Sequence, residues 1–229
     1  MSVAVITPPA AAPVSLDEAK RHLRVDFIDD DEVIQALINV ATATFDGPDS
    51  TLGRSLMKQT LAMNLDSFPC SVSNFDVFDR VKWRSDSRGA YNQNNWRDVL
   101  SLQQIPLPYP PYLGNVAVTY LDQSGVQQTV DAAIYRVLGQ GTSRPRVALL
   151  DGQSWPTTQF TEECVSIQWD AGYGDTGDKV PAPIRHAILL TIGHLYENRH
   201  NVVVDASRVQ AIELPQGAEA LVAPYRVFA

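Results

Sequence analysis

Few residues in this 229-residue chain have types and spacing that could do chemistry. The stretch Gly172-Tyr-Gly-Asp-Thr-Gly177 resembles a phosphate-cradling loop, in which successive backbone N–H groups wrap an anion. The Gly-Lys-Ser/Thr that completes such a loop is missing, and Asp178-Lys-Val-Pro181 follows, so the stretch is expected to be a turn before a helix. His194, Glu197 and His200 recur every three residues but fit neither His-Glu-x-x-His nor His-x-x-Glu-His, and Arg199 beside them repels a cation. His22 and His186 are expected at the surface or at its boundary, and no Gly-x-Ser-x-Gly elbow occurs. The carboxylates form no recognisable spaced pair. The sequence therefore predicts no enzyme, no catalytic residue, no cofactor and no metal. One alternative stays open, a carbohydrate-binding or hydrolytic β domain built around Trp83, Trp96, Trp155 and Trp169. Clustering of these rings on one exposed face would favour it, whereas burial of Trp155 and Trp169 would favour a structural role.

Net charge is −8, from 26 acidic and 18 basic residues, which argues against a tight phosphate-backbone binder, because such proteins gain affinity from clustered Lys and Arg. Cys70 and Cys164 lie far apart with no zinc spacing, and read as buried or half-buried free thiols in a reducing compartment. Met1 to Pro13 has no basic leader and no segment approaches the about 20 apolar residues of a membrane span, so a soluble, intracellularly made protein is expected.

These residues are positioned around the helix predicted over 183–199. Pro183 suits its first turn, and apolar residues from Ile184 to Leu195 occupy too wide a sector for a helix lying on a solvated surface. Gly193 within it predicts close approach of a neighbouring backbone. Ser15-Leu-Asp-Glu18 is a capping box that opens a short helix to about Val25. Asp29-Asp-Asp-Glu32 places negative charge at the next helix start, after which Val33, Ile34, Leu37, Ile38, Ala41 and Phe45 mark an apolar face.

Between them the pattern shortens to candidate strands at Leu56–Leu65, Val99–Ile105, Val116–Leu121, Val126–Val130, Ile134–Leu138, Arg146–Leu150 and Cys164–Trp169. Asp122-Gln-Ser-Gly125 reads as a hairpin turn, and the proline-rich run from Ile105 to Leu113 as an extended connection or edge. The predicted fold is α+β: a small helical bundle over 15–55 plus 180–224, with an inserted antiparallel sandwich or barrel-like β domain over 56–179. An extended arm at 1–14 precedes it, Asn201–Val209 is a loop or short extended piece, Ala218–Val222 a last short helix, and 225–229 an apolar tail. Within 70–98, Arg80, Arg84 and neighbouring cations alternate with Trp83, Tyr91 and Trp96 while aspartates offset the charge, which predicts a protruding hairpin packed on another protein rather than a nucleic-acid platform.

The order of several stretches resembles the head-tail connector, or adaptor, family of tailed bacteriophages and gene transfer agents, in its longer form with a β insertion. They are Ser15-Leu-Asp-Glu-Ala-Lys20 with Leu23; Asp29-Asp-Asp-Glu32 through Ile38; Gly53-Arg54, Leu56 and Gln59-Thr60; and Leu65-Asp-Ser-Phe-Pro69. They continue through Ile105-Pro-Leu-Pro108, Val116 to Asp122, Tyr135-Arg-Val137, Trp155-Pro156, Ala171-Gly-Tyr-Gly174, Val180-Pro181, Ile184 to Arg199, Leu214-Pro-Gln-Gly217 and Pro224-Tyr-Arg226. The segment 70–98 departs from the pattern, being longer and more aromatic.

The resemblance implies a non-enzymatic ring homo-oligomer, usually a dodecamer, in the virion neck beneath the portal protein, made in the host bacterial cytoplasm. Its partners would be the portal, a tail-side stopper or tail-completion protein, and genomic DNA that passes without tight binding. It makes Pro224, Tyr225, Arg226, Val227 and Phe228 the portal-contact candidates. Ile34, Leu37, Ile38, Arg185, Ile188, Tyr196 and Arg199 become the subunit-interface candidates. Arg80, Trp83, Arg84, Tyr91 and Trp96 are candidates for tail or capsid contact. A stopper or tail-completion protein one level lower is the alternative from the same assembly.

Overall fold

The computed structural model of the chain describes residues 2–47, 50–69, 104–198, 202–205, 208–211 and 216–227. The expected α+β architecture is observed, with four helices and antiparallel sheets among the described residues. The helices are α1 (Leu16–Leu23), α2 (Asp31–Phe45), α3 (Ala182–Glu197) and α4 (Gln216–Val222). The strands are β1 (Ser2–Thr7), β2 (Gln59–Leu65), β3 (Gln104–Pro106), β4 (Tyr112–Leu121), β5 (Gln127–Thr129), β6 (Tyr135–Leu138), β7 (Arg146–Leu149), β8 (Val165–Ala171), β9 (Val202–Asp205) and β10 (Arg208–Ala211). Two compact units result: one of Met1–Ala4, Leu61–Leu107 and Asn115–Trp169, the other of Val5–Thr60, Pro108–Gly114 and Asp170–Ala229.

In the second unit, α3 packs against α1, α2 and α4. Ile184, Ala187, Ile188, Leu189, Thr191 and Ile192 are all buried, which accounts for the wide apolar sector in its sequence. Burying one such side chain contributes about 1.5–3 kcal/mol. Pro181 caps α3, which begins one residue before Pro183. A Cβ on Gly193 would meet only the side chains of His22 and Leu23, at 3.6 Å or more, so a packed side chain and not a close backbone lies against it.

On α2 the buried positions are Ile34, Ile38, Ala41 and Phe45, spaced four, three and four apart. Val33 is exposed, because one residue of rotation carries it off that stripe. The arm at 1–14 is extended at its start, where Ser2–Thr7 forms β1, and its end is core, since Val14 is buried.

The five-stranded sheet has the order β1-β2-β8-β4-β5, and the three-stranded sheet β3-β7-β6. Among the described residues both sheets are open, so the barrel-like expectation is corrected: β1 and β5 end the larger sheet without meeting. β4 and β5 pair antiparallel, with Thr119 opposite Thr129. Their turn is fixed by Asp122, whose Oδ1 accepts from Ser124 N at 2.8 Å and Val126 N at 3.0 Å, while Gly125 takes φ 77°. These backbone N–H groups and the Gln128 amide hold the exposed Asp122 carboxyl below its ordinary range.

β3 is an edge strand, which suits its one proline, with Pro106 opposite Arg146. Where a loop or short extended piece is expected at 201–209, extended strands are found: β9 and β10 pair antiparallel, with Val204 opposite Val209 in the register. Cys164 is a buried free thiol whose Sγ donates to Asp66 O at 3.0 Å, whereas Cys70 lies outside the described residues.

Candidate assembly interface

The C-terminal residues run back over the helical unit. After α4 the chain makes a 3-10 turn at Ala223–Tyr225, and Val227 N then donates to Leu52 O at 2.9 Å. Arg54 Nε donates to the carbonyl of Tyr225. Gly53 lies beneath the strap with φ +60°, and a Cβ there would meet Val227 O at 3.0 Å. Of the portal-contact candidates, Pro224 is exposed, Tyr225, Arg226 and Val227 are half-buried, and Phe228 lies outside the described residues.

Asp46 explains how the strap's receiving loop is shaped. A carboxylate at the C-terminal end of a helix faces the negative pole of its dipole, which is unfavourable in isolation. Here Asp46 Oδ1 accepts from Leu56 N at 2.8 Å and from Gln59 Nε2 at 3.4 Å, closing the loop that carries Leu52 and Arg54. Burial raises its pKa above the ordinary carboxylate value, against the opposing pull of these hydrogen bonds. Burial likewise raises Tyr173, with the Arg54 charge acting in the opposite sense. Neither Asp46 nor Arg54 stands out as a working residue in the sequence, although an acid just ahead of Gly47-Pro48 at a helix end was a usable signal.

The subunit-interface candidates divide. Ile34, Ile38 and Ile188 are completely buried inside the unit's own core, so they present no surface to a neighbour. Leu37 is half-buried against that core. Arg185 pairs with Glu18 through Nη2, at 2.6 Å to Oε1 and 2.7 Å to Oε2. The Ser15 half of the capping box forms, with Oγ accepting from Glu18 N at 3.2 Å. The reciprocal half is replaced, because a guanidinium offers Glu18 two charge-assisted bonds where the cap offers one neutral N–H. Tyr196 donates its hydroxyl to Asp30 Oδ2. Arg199 lies outside the described residues.

The exposed apolar residues of this unit include Phe27, Ile28, Val33 and Val40, at 48%, 76%, 47% and 55%, as well as Val5, Ile6 and Leu113. Phe27 and Ile28 lie between α1 and α2, where no helical period flags them. Arg80, Trp83, Arg84, Tyr91 and Trp96, with the hairpin expected over 70–98, fall outside the described residues.

The tryptophans bear on the carbohydrate alternative. Trp169 is 1% exposed, and Trp155 is half-buried, stacked on Phe68 with centroids 4.7 Å apart. A cavity of about 450 Å³ beside that stack has no carboxylate among its described lining residues. Trp83 and Trp96 are outside the described residues. Gly172–Gly177 is a turn, with Gly172 N donating to Pro111 O at 2.9 Å. Among the described residues no cluster of three His, Cys, Asp or Glu could hold a metal, and no helix is long and apolar enough to cross a membrane.

Comparison with known proteins adds to this geometry. Residues 13–96 match the phage gp6-like head-tail connector protein family. The matched segment takes in α1, α2, the loop of Asp46 and Arg54, and β2. The fold of the whole chain is that of neck proteins from gene transfer agents. A chain from the neck of an empty GTA particle computed with C6 symmetry superposes with TM-score 0.68 at 21% identity, over 100% of this chain and 97% of that one. A chain of the native GTA virion does so with TM-score 0.68 at 20% identity, over 100% and 97%. The neck of the native GTA particle computed with C12 symmetry contains a chain matching with TM-score 0.63 at 20% identity over the same shares. No curated protein matches.

Proposed function

We propose that this chain is a structural head-tail connector of a phage-like particle, a ring subunit in the virion neck that joins head to tail and encloses the DNA path. The observation that carries this reading is the agreement of the whole chain, helical and β units together, with neck proteins of gene transfer agents. The connector family match over residues 13–96 supports it independently. The net charge of −8 suits a channel subunit, since an acidic lumen does not hold passing phosphate groups.

In this reading the chain has no catalytic role. The C-terminal residues Pro224, Tyr225, Arg226, Val227 and Phe228 contact the portal protein, and a stopper or tail-completion protein binds on the tail side. Neighbouring subunits meet over outward apolar residues such as Phe27, Ile28, Val33 and Val40, in place of the core residues Ile34, Ile38 and Ile188. Twelvefold symmetry, as computed for the native GTA neck, is the stoichiometry we assign.

Electron microscopy of the purified chain mixed with its portal tests the proposal. A ring stacked coaxially on the portal is expected. A chain that ignores a competent portal and binds a tail component would be a stopper, and the connector assignment would fall.

A further inference from the structure

Among the described residues the larger sheet ends in two unlike strands, β1 on one margin and β5 on the other. β1, Ser2-Val-Ala-Val-Ile-Thr7, carries none of the devices that shield a sheet edge: it has no charged residue and no proline before Pro8. Ala4, Val5, Ile6 and Thr7 are all exposed, although consecutive residues of a strand point to opposite faces. Both faces of its second half are therefore open, with Val5 42% and Ile6 54% exposed. Such a strand gains little from its own subunit beyond one ladder of hydrogen bonds, and offers a second ladder outward.

The opposite margin carries no charged residue within the strand itself, although the Asp122 carboxylate accepts from Gln128 Nε2 at 3.1 Å. Gln127, Gln128 and Thr129 of β5 are exposed, and Val126 before them is 54% exposed. A closed ring requires a heterologous contact, in which one surface of a subunit meets a different surface of the next. One sheet with two dissimilar open margins supplies such a pair.

We infer that β1 of one subunit adds to the β5 margin of the next copy of this chain, so that the sheets of adjacent subunits join through main-chain hydrogen bonds. This rests on the ring assembly proposed above. Backbone pairing supplies the attraction, and the alternating side chains Val3, Val5 and Ala4, Ile6 set the register. Neither strand itself carries a charged residue, and the Asp122 carboxylate that accepts from Gln128 Nε2 lies on the exposed turn beside the joint, where it can stay hydrated.

The test pairs Ile6→Cys with Gln128→Cys in the full-length chain, with Cys70 and Cys164 replaced by Ser and Ala, under mild oxidation with the portal present. Rings are imaged in the same samples. A disulfide ladder of dimers and higher oligomers, absent from each single-cysteine variant, is the expected result. Rings without a ladder, across this pair and the neighbouring Val5→Cys/Gln127→Cys pair, overturn the β1–β5 joint and leave the connector reading intact. Absence of rings from the otherwise unsubstituted chain with a competent portal overturns both. A second variant, Val5→Lys, places a charge on the free edge at an exposed position. Its thermal unfolding should match the parent, while the fraction of portals bearing a ring falls at least tenfold. Ring formation equal to the parent would refute the inference.

Discussion

Arg185 of α3 and Glu18 of α1 are joined by one guanidinium nitrogen to both carboxylate oxygens, at 2.6 and 2.7 Å, across 167 residues of sequence. The pair ties the first turns of two helices together, and it also removes Glu18 from the cap that its sequence motif prescribes. Their side chains are 27% and 24% exposed, so the bond is only partly shielded from water. A double-mutant cycle of Arg185→Ala and Glu18→Ala should give a coupling of about 1–2 kcal/mol, above the usual surface pair and below a buried one. Chemical denaturation of the four proteins measures it. Coupling near zero would show that the helices are held by their apolar faces alone.

Asp46 sets a pH dependence of known sign. Burial raises its folded pKa above the ordinary value of 3.8, so the folded chain binds this proton more tightly than the unfolded one. The stabilising contribution is complete below that value and is lost as pH rises through the raised folded value. Asp46→Asn should remove the loss, so the variant gains on the parent as unfolding is measured from about pH 4 to about pH 7. A constant difference between the two across that range would show that Asp46 titrates normally.

Two glycines predict opposite outcomes. Gly172 has φ +122°, and a Cβ there would lie 2.3 Å from Met57 O and 2.7 Å from Lys58 N, both backbone atoms. Gly172→Ala should cost about 3 kcal/mol, combining overpacking with a strained conformation. Gly193 sits within α3, and its Cβ would meet His22 Nε2 at an ordinary 3.6 Å. Gly193→Ala should instead stabilise by about 0.5–1 kcal/mol, the helix-propensity difference. Parallel thermal melts compare them.

The contrast shows what the sequence could convey. Helix α1 was legible from its Ser15–Glu18 capping motif, α2 and α3 from their apolar spacing, and the Asp122 turn because an acid and a glycine three residues on have few other uses. The strap over Leu52 and Arg54 was not legible, since it rests on one main-chain bond and one Arg54 side-chain bond between residues 171 or more positions apart, which leave no local pattern. Ile34, Ile38 and Ile188 lie on regular apolar stripes and are buried in the unit's own core, whereas the exposed Phe27 and Ile28 lie between helices and follow no period.

The strap also makes the portal-contact proposal specific. Val227 N and the Tyr225 carbonyl are already bonded to Leu52 O and Arg54 Nε, so a tail that reaches a portal must first release these partners. Each such bond contributes about 1 kcal/mol. Arg54→Ala weakens the strap without altering the tail itself. If docking draws on the released form, the variant should bind the portal about fivefold more tightly, because a larger share of chains is already competent. Deleting 225–229 should abolish binding while costing about 1–3 kcal/mol of stability, through the lost bonds and the uncovered Leu52–Arg54 loop. Portal titrations by calorimetry, alongside denaturant melts of both variants, separate the possibilities. Weaker binding by Arg54→Ala would mean that the strapped form is the one the portal recognises, and undiminished binding after the deletion would remove the tail from the interface.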